Sequence, residues 1–256
     1  MNSWQITAII LAAGSSSRMG GKKKEFLKLK CSDFDPVIPI LDKNFLFNNP
    51  TVLGSAVSAF ASVSSVDAII IVIPENEEAA ARDALPPEIL SAGKPEIFFV
   101  NGGNTRRASV FNALSFLASR SSDLPKTGYV LIHDGARPWV SSSLIENSIT
   151  AVKKYDAVIP LLPLTDTPKE TAEEQGTGSG DVTYIKNHLK RKNTGVAQTP
   201  QAFKFPEILH AHKKAALAEN DEFTDDAEIW GRFCGQVAVI PGDPKNKKIT
   251  FPGDLF

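Results

Sequence analysis

The sequence predicts an α/β fold, a mostly parallel sheet with helices on both faces, and two observations carry that prediction. Short apolar, β-branched runs recur along the chain, and segments with helical spacing of apolar residues separate them. The runs are ITAIILA at 6–12, VDAIIIVI at 66–73, EIFFV at 96–100, YVLIHD at 129–134, DAVIPLLP at 156–163 and QVAVIPG at 236–242. Each is too short for a helix and nearly continuous in apolar character, which is how strands buried on both faces read. Between them, 51–63 places Val52, Leu53, Ala56, Val57, Phe60 and Val63 at helical spacing. The segment 107–119 does the same with Val110, Phe111, Leu114 and Leu117, and a further helix is expected over 206–218. Alternating strand and helix favours parallel pairing, because parallel neighbours need a crossover and a helix supplies it. Ligands of such sheets bind beyond the carboxyl ends of the strands, so the loops there are where chemistry is sought.

The chain's 256 residues fit one large domain, read here as 1–256 with an appendage at 163–193. That appendage breaks the alternation: its Gly/Ser/Glu-rich centre at 173–180 cannot bury a core and reads as the tip of a projecting arm. Hydrophobic residues make up 42% and charged residues 22%, which excludes an intrinsically disordered chain. Lys and Arg number 28 against 29 Asp and Glu, a net charge of −1, so the broad positive field of a nucleic-acid or anionic-lipid binder is missing. Any basic site must be local. Cys31 and Cys234 lie far apart and outside any C-x-x-C spacing, so neither a disulfide framework nor a cysteine zinc site is expected. The opening MNSWQITAIILAAG carries no basic leader, and no run approaches the roughly 18 apolar residues of a membrane span. A cytoplasmic protein without nucleic-acid or membrane partners is the expectation.

Three loops after strands carry small residues and charge. The first runs Ala12-Ala13-Gly14-Ser15-Ser16-Ser17-Arg18-Met19-Gly20-Gly21-Lys22-Lys23-Lys24-Glu25-Phe26. Small residues let backbone N–H groups approach an anion, and the cations supply the charge a polyphosphate needs. It is not a Walker A loop, since the Gly21-Lys22 pair would need glycine at Ser16, and it does not match G-x-G-x-x-G. Taken alone, a strand-to-helix turn with a solvated basic cluster fits it equally. The second loop, Asn101-Gly102-Gly103-Asn104-Thr105-Arg106-Arg107-Ala108-Ser109, opens a helix, so it is either an anion or base site or a capped helix start. The third, His133-Asp134-Gly135-Ala136-Arg137-Pro138, offers a carboxylate for Mg²⁺ near phosphates and a guanidinium for a phosphate; an Asp–Arg pair that merely steadies the loop is the alternative. His133 reads as a packed, hydrogen-bonded histidine rather than a base. His210 and His212, two apart on a helix, face different sides and make no metal pair.

In order and spacing, A-A-G-x-x-x-R-M, K-E-F, G-G-x-x-R-x-x-S, H-D-x-A-R-P, D-T-x-K, A-Q-T-P-Q-A-F, T-D-D-A and G-D-P-x-N-x-K-I-T resemble the 2-C-methyl-D-erythritol 4-phosphate cytidylyltransferase family of the non-mevalonate isoprenoid pathway. The likeness runs from about residue 6 to 254. A-A-G-x-x-x-R-M alone is shared across sugar-type nucleotidyltransferases; the combination is specific. The resemblance implies a Rossmann-like nucleotidyltransferase fold with a projecting β-arm. It also implies an enzyme that joins CTP to the methylerythritol phosphate, giving a CDP-alcohol and pyrophosphate, with Mg²⁺ or another divalent cation.

Carried residue by residue, the resemblance puts Arg18, Lys24 and Lys248 around the triphosphate as the catalytic cations. Ala12, Ala13, Gly103, Asn104 and Ser109 would read cytosine and ribose, with Gly14 beside them among the substrate-binding positions. Asp134, Arg137, Thr167, Arg191 and Thr224, with Lys248, would position the alcohol phosphate, and Asp134 would be the metal's protein ligand next to the CTP phosphates. A homodimer through an exchanged arm is implied too, with Thr167 and Arg191 completing the neighbour's site. The chemistry agrees with a site lacking a catalytic dyad. A phosphate monoester is largely dianionic near neutrality, its second pKa being about 6, so no general base is required. Fixed cations must instead stabilise the charge that gathers at the α-phosphorus.

The chain departs from the family pattern at 31–50, a longer connection than usual, and at Lys247, where an apolar residue usually precedes the lysine. Register with Asn246 and Thr250 favours Lys248 over Lys247, and Glu25-Phe26 single out Lys24 from the Lys22-Lys23-Lys24 run. Relatives usually continue past P-G-D-L into a last helix. The nearest rival, a ribitol 5-phosphate cytidylyltransferase, tends to read A-G-G and H-D-x-V-R-P, where this chain has Ala12-Ala13-Gly14 and Ala136. A silent nucleotide-binding protein is the rival of another class, and the retained cations argue against it.

Overall fold

A computed structural model describes residues 6–16, 19–21, 23–29, 50–120, 128–172, 183–218 and 223–255. Its sheet is centred on β1 (Ile6–Leu11), which pairs in parallel with β2 (Ala68–Ile73) on one side. β3 (Glu96–Asn101) extends that side in parallel, and β4 (Tyr129–Asp134) flanks the other side of β1, also in parallel. Beyond β4 lie β5 (Ala157–Pro163) and, past the two-stranded pair β6 (Lys169–Thr171) and β7 (Ile185–His188), the short β8 (Gly195–Ala197) and β9 (Gln201–Lys204). β9 inserts antiparallel between β4 and β5, β8 pairs antiparallel with β5, and β10 (Ala238–Pro241) closes the far edge parallel to β5. The spatial order is therefore β10-β5-β9-β4-β1-β2-β3.

Near-continuous apolar runs become strands buried on both sides: every residue of β2 is buried, and all of β1 but Leu11. Alternation then divides the core. Ile6, Ala8 and Ile10 of β1 face one cluster with Phe60 and Ile145, while Ile9 faces another with Leu114, Phe203 and Trp230. The first face is covered by α1 (Val52–Ala61), the short α2 (Glu78–Asp83) and α3 (Pro87–Ser91), and α5 (Ser142–Tyr155), which follows α4 (Arg106–Ser119) in the chain. α4, α6 (Phe205–Leu217) and α7 (Asp226–Phe233) cover the second. Helix starts are capped as their sequences suggest: Thr51, Thr105, Ser141 and Asp225 each accept from a backbone N–H three residues on.

The six predicted strands and three predicted helices form within one or two residues of their expected bounds. The four-residue β9 was not anticipated, because Gln201-Ala202-Phe203-Lys204 is too short for a periodic signal and follows directly on Pro200. The long connection at 31–50 lies almost wholly outside the described residues, as does the expected arm tip at 173–180, while the β6–β7 pair falls within the 163–193 segment.

What positions the site is the stitching of loops at the carboxyl end of the sheet. Ala12 N–H donates to Val72 O (2.7 Å), Gly102 N–H to Ile73 O (2.8 Å) and Gly135 N–H to Leu11 O (2.9 Å), so each loop leaves its strand along a neighbour. Gly102 has no room for a side chain: a Cβ there would lie 2.4 Å from Ala13 Cβ and 3.0 Å from Ser109 Oγ. The first and second loops are pressed together through that missing atom. Gly102→Ala is expected to lower stability by about 1–3 kcal/mol, the usual cost of overpacking. Urea unfolding checks this, and an unchanged midpoint would show that the loops are not in contact there.

Candidate active site

A cleft of about 510 Å³ opens where the loops after β1, β3 and β4 meet, at the carboxyl ends of parallel strands. Ala13, Gly14, Lys24, Gly103, Asn104, Ser109, Asp134 and Lys248, all expected from the sequence, line it. Ser15, Lys23, Glu25, Thr105, Arg106 and Ala136 line it as well.

Asp134, the last residue of β4, is the electrostatic centre. Its Oδ2 lies 2.9 Å from Lys248 Nζ and 3.5 Å from Arg137 Nε, and its Oδ1 lies 3.5 Å from Arg106 Nε. Burial alone would raise its carboxyl, but Lys248, Arg106 and Arg137 together outweigh burial and hold it well below the usual carboxylate range. The carboxylate stays ionised, and three cations from three segments converge on it.

Lys248 arrives through a locked loop. Gln198 Nε2 donates to the carbonyls of Asp243 (2.9 Å) and Asn246 (3.2 Å), and its Oε1 accepts from Asp243 N–H (3.0 Å). Asn246 Nδ2 donates to Thr199 O (2.7 Å), and Ile249 N–H donates to Ala136 O (2.8 Å). The A-Q-T-P and G-D-P-x-N-x-K-I-T motifs are thus two halves of one clamp that delivers Lys248 to Asp134. Of the two neighbouring lysines it is Lys248 that pairs with Asp134. Arg137 donates from Nη1 to Asn246 O (2.8 Å), which ties the third loop to the same clamp.

His133 braces the backbone beneath Asp134. The carbonyl of Arg137, 3.2 Å from Nε2, can only accept, so Nε2 carries the proton. Nδ1 then accepts from Thr199 Oγ1 (3.0 Å), which in turn accepts from Asp134 N–H (3.1 Å). Burial lowers the imidazole's pKa to about 4. A ring with both nitrogens engaged and so low a pKa is a support, as the sequence suggested, and no base. His210 is exposed and His212 buried, also as expected of residues on different sides of a helix.

In the first loop Ser16 Oγ accepts from Lys24 N–H (3.4 Å) and lies 3.3 Å from Glu25 Oε2. Lys23 Nζ donates to Gly14 O (3.2 Å), so this lysine shares the cleft with Lys24. In the second loop, Ser109 Oγ accepts from Gly103 N–H (3.0 Å) and shapes the loop. Arg18 lies outside the described residues. Ala12 is buried at the foot of the loop with its N–H spent on Val72, so its amide cannot serve a ligand. Thr167, Arg191 and Thr224 are exposed and do not line the cleft of their own chain. Arg191 donates to Thr165 O (2.6 Å), and Thr224 Oγ1 to Glu228 Oε2 (2.8 Å). Arg106 stood inside the quoted G-G-x-x-R-x-x-S spacing without a role; its position on the first turn of α4 was the signal that could have found it.

The arrangement suits a polyphosphate: small residues, a helix start and cations outnumbering carboxylates, with no nucleophile–base pair among the lining residues. The His133 brace has a measurable consequence. The folded protein keeps this imidazole neutral down to about pH 4, whereas the unfolded chain takes up the proton near pH 6.5. Stability carried by the brace is therefore complete above about pH 6.5 and lost as pH falls towards 4, on the order of 3 kcal/mol in all. Urea unfolding between pH 7 and 4.5 should show the decline, with a shallower one in His133→Gln; identical profiles would contradict it.

The comparisons with known proteins fall on this geometry. The family described as IspD, 2-C-methyl-D-erythritol 4-phosphate cytidylyltransferase, matches residues 41–256. A bifunctional enzyme IspD/IspF from Bartonella bacilliformis is 32% identical over 250 residues, 98% of this chain and 55% of that protein. The chain thus spans about half the length of the bifunctional relatives. A 2-C-methyl-D-erythritol 4-phosphate cytidylyltransferase from Bacillus mycoides is 32% identical over 253 residues, 98% of this chain and 94% of that one. Among solved structures, the 4-diphosphocytidyl-2C-methyl-D-erythritol synthase of Anaerococcus prevotii superposes with a TM-score of 0.72 at 29% identity, covering 98% of this chain and 94% of that chain. Its α/β fold is the one read from strand and helix alternation, and with the family match over most of the chain it leads to one conclusion: this chain belongs to the IspD family, the 2-C-methyl-D-erythritol 4-phosphate cytidylyltransferases.

Proposed function

We propose that this chain transfers CMP from CTP to 2-C-methyl-D-erythritol 4-phosphate, releasing pyrophosphate. The observation that carries the proposal is the convergence of Arg106, Arg137 and Lys248 on Asp134 beside two small-residue loops. In this reading the cations of the cleft hold the triphosphate. The alcohol phosphate, already an anion, attacks the α-phosphorus without help from a base. Lys24 and Lys248 stabilise the charge that builds there and on the leaving pyrophosphate, with Arg18 as a further candidate from the sequence. Gly103, Asn104 and the loop braced by Ser109 are read as the nucleoside side of the cleft.

A divalent cation such as Mg²⁺ fits the donor set in a limited way. Among the described residues no group of three or more His, Cys, Asp or Glu side chains is arranged to hold a metal, and Asp134 already faces three cations. Magnesium usually takes one or two carboxylates and completes its shell with substrate phosphates and water. The ion is therefore read as riding on CTP with Asp134 as the protein carboxylate at hand, where it would neutralise phosphate charge.

A homodimer through the arm is part of the proposal. Tyr184 and Ile185 are 75% and 52% exposed, large apolar surface for a two-stranded stem to leave in water. Thr167 and Arg191, outside the cleft of their own chain, are read as serving the neighbour's. No helix among the described residues is long and apolar enough to cross a membrane; a cytoplasmic setting remains the reading from composition.

Pyrophosphate release from CTP, measured separately with 2-C-methyl-D-erythritol 4-phosphate and with ribitol 5-phosphate, tests the substrate. Faster turnover of ribitol 5-phosphate would overturn the choice. Lys24→Ala is expected to keep the fold and lose on the order of 10²–10³ in turnover, as other phosphoryl-transfer cations do; near-normal activity would remove Lys24 from the site. Chelation by EDTA should stop the reaction and added Mg²⁺ restore it, and turnover persisting in excess EDTA would exclude the metal's role.

A further inference from the structure

Arg106 is held at its tip by two carboxylates, and the closer one lies outside the cleft. Its Nη1 is 2.7 Å from Asp226 Oδ2, whereas its Nε is 3.5 Å from Asp134 Oδ1. Asp226 is completely buried, and nothing in the proposed reaction uses it. It is also firmly fixed. Asp226 sits in the first turn of α7, where the helix dipole favours a carboxylate, and its N–H donates to Gln201 Oε1 (3.2 Å) on β9. Its Oδ1 is 3.0 Å from His212 Nε2 on α6. Gln201 in turn donates to Asp225 Oδ2 (2.7 Å) and accepts from Ala227 N–H (3.1 Å). Burial alone would raise the Asp226 carboxyl, but Arg106 and His212 outweigh it and keep the group ionised.

Asp226 is fully buried while the Arg106 side chain is 31% exposed; taking a carboxylate out of water is costly, and an apolar residue at such a position is often as stable, so its retention calls for an account beyond packing. Geometry provides one. Without Asp226, the Arg106 fork could swing onto Asp134 and take both its oxygens, the strongest arrangement open to an arginine and a carboxylate. Asp134 would then be neutralised by Arg106 and drawn away from Lys248. With Nη1 committed to Asp226, Arg106 reaches Asp134 only through Nε, and Lys248 keeps the short contact of 2.9 Å.

We propose that Asp226 is a positioning residue for the reaction in the cleft, holding the Arg106 guanidinium so that it flanks Asp134 without capturing it. The proposal rests on reading the cleft as the site of nucleotidyl transfer. The test is a double-mutant cycle on the full chain: wild type, Asp226→Asn, Arg106→Ala and both together. Asparagine keeps the shape of Asp226 and removes its charge. Asp226→Asn should lower kcat by about 10- to 100-fold, by analogy with the loss of groups that orient metal-binding side chains. The KM for CTP should not rise, because the Arg106 charge stays in the cleft; a merely structural role would move both.

In the Arg106→Ala background the same substitution should cost no further activity. It should also raise the unfolding midpoint, by removing a buried carboxylate that has lost its guanidinium and keeps the His212 contact, which a neutral amide can also make. Additive losses of activity, or equal kcat for wild type and Asp226→Asn, would overturn the proposal. Should Asp226→Asn alone not fold, Arg106→Ala against the double variant decides: equal activity with a higher midpoint supports the proposal, and lower activity sinks it. Absence of turnover in the wild type would instead sink the reading of the cleft, and the four midpoints would still report whether Arg106 and Asp226 are coupled.

Discussion

The Asp134 carboxylate is the point on which the arrangement of the cleft depends. Arg106, Arg137 and Lys248 come from a helix start, a loop and a distant C-terminal segment, and like charges gathered around one group repel one another. Asp134 lets them coexist, and Asp226 takes the larger share of Arg106. Because the cations outnumber the carboxylates, the cluster stays net positive and retains attraction for an anion. A symmetrical set of ion pairs would have spent that attraction internally.

Backbone support for the carboxylate comes from groups with no part in the proposed chemistry. The neutral His133 ring and the Thr199 hydroxyl fix the end of β4 from below, while Gln198 and Asn246 fix the loop that carries Lys248. Thr199 serves both, its hydroxyl bonded to His133 and its carbonyl to Asn246. The short antiparallel β9, which follows directly, anchors this junction in the sheet between β4 and β5 and supplies Gln201 to Asp226. An irregular insertion in a mostly parallel sheet is thus where the two halves of the cleft's support are joined.

The layout of the sheet was legible because burial on both faces writes itself as continuous apolar runs, and the loops were legible because close approach demands small residues. Asp134 was singled out by its place at the end of a strand, while Lys24 and Lys248 were carried over from the resemblance to the family's K-E-F and G-D-P-x-N-x-K-I-T motifs. Arg106 was visible as a letter in a motif but not as a role, because its partner Asp226 lies 120 residues away and only the fold brings them together. Ala12 was carried over from the resemblance as reading the nucleoside; its burial and the bond of its N–H to Val72 are decided by which loop residue turns inward. Thr167 and Arg191 flank the β6–β7 pair on either side in the chain, outside the cleft of their own chain.

The claim that Asp134 organises the cations for transfer is tested most directly by Asp134→Asn, which keeps the side chain's shape and removes its charge. Steady-state kinetics with CTP and 2-C-methyl-D-erythritol 4-phosphate should show kcat reduced by roughly 10²-fold or more, the scale on which single preorganised groups act. CTP binding, measured by titration, should persist, because the three cations remain. An Asp134→Asn protein that turns over at the wild-type rate would contradict the account.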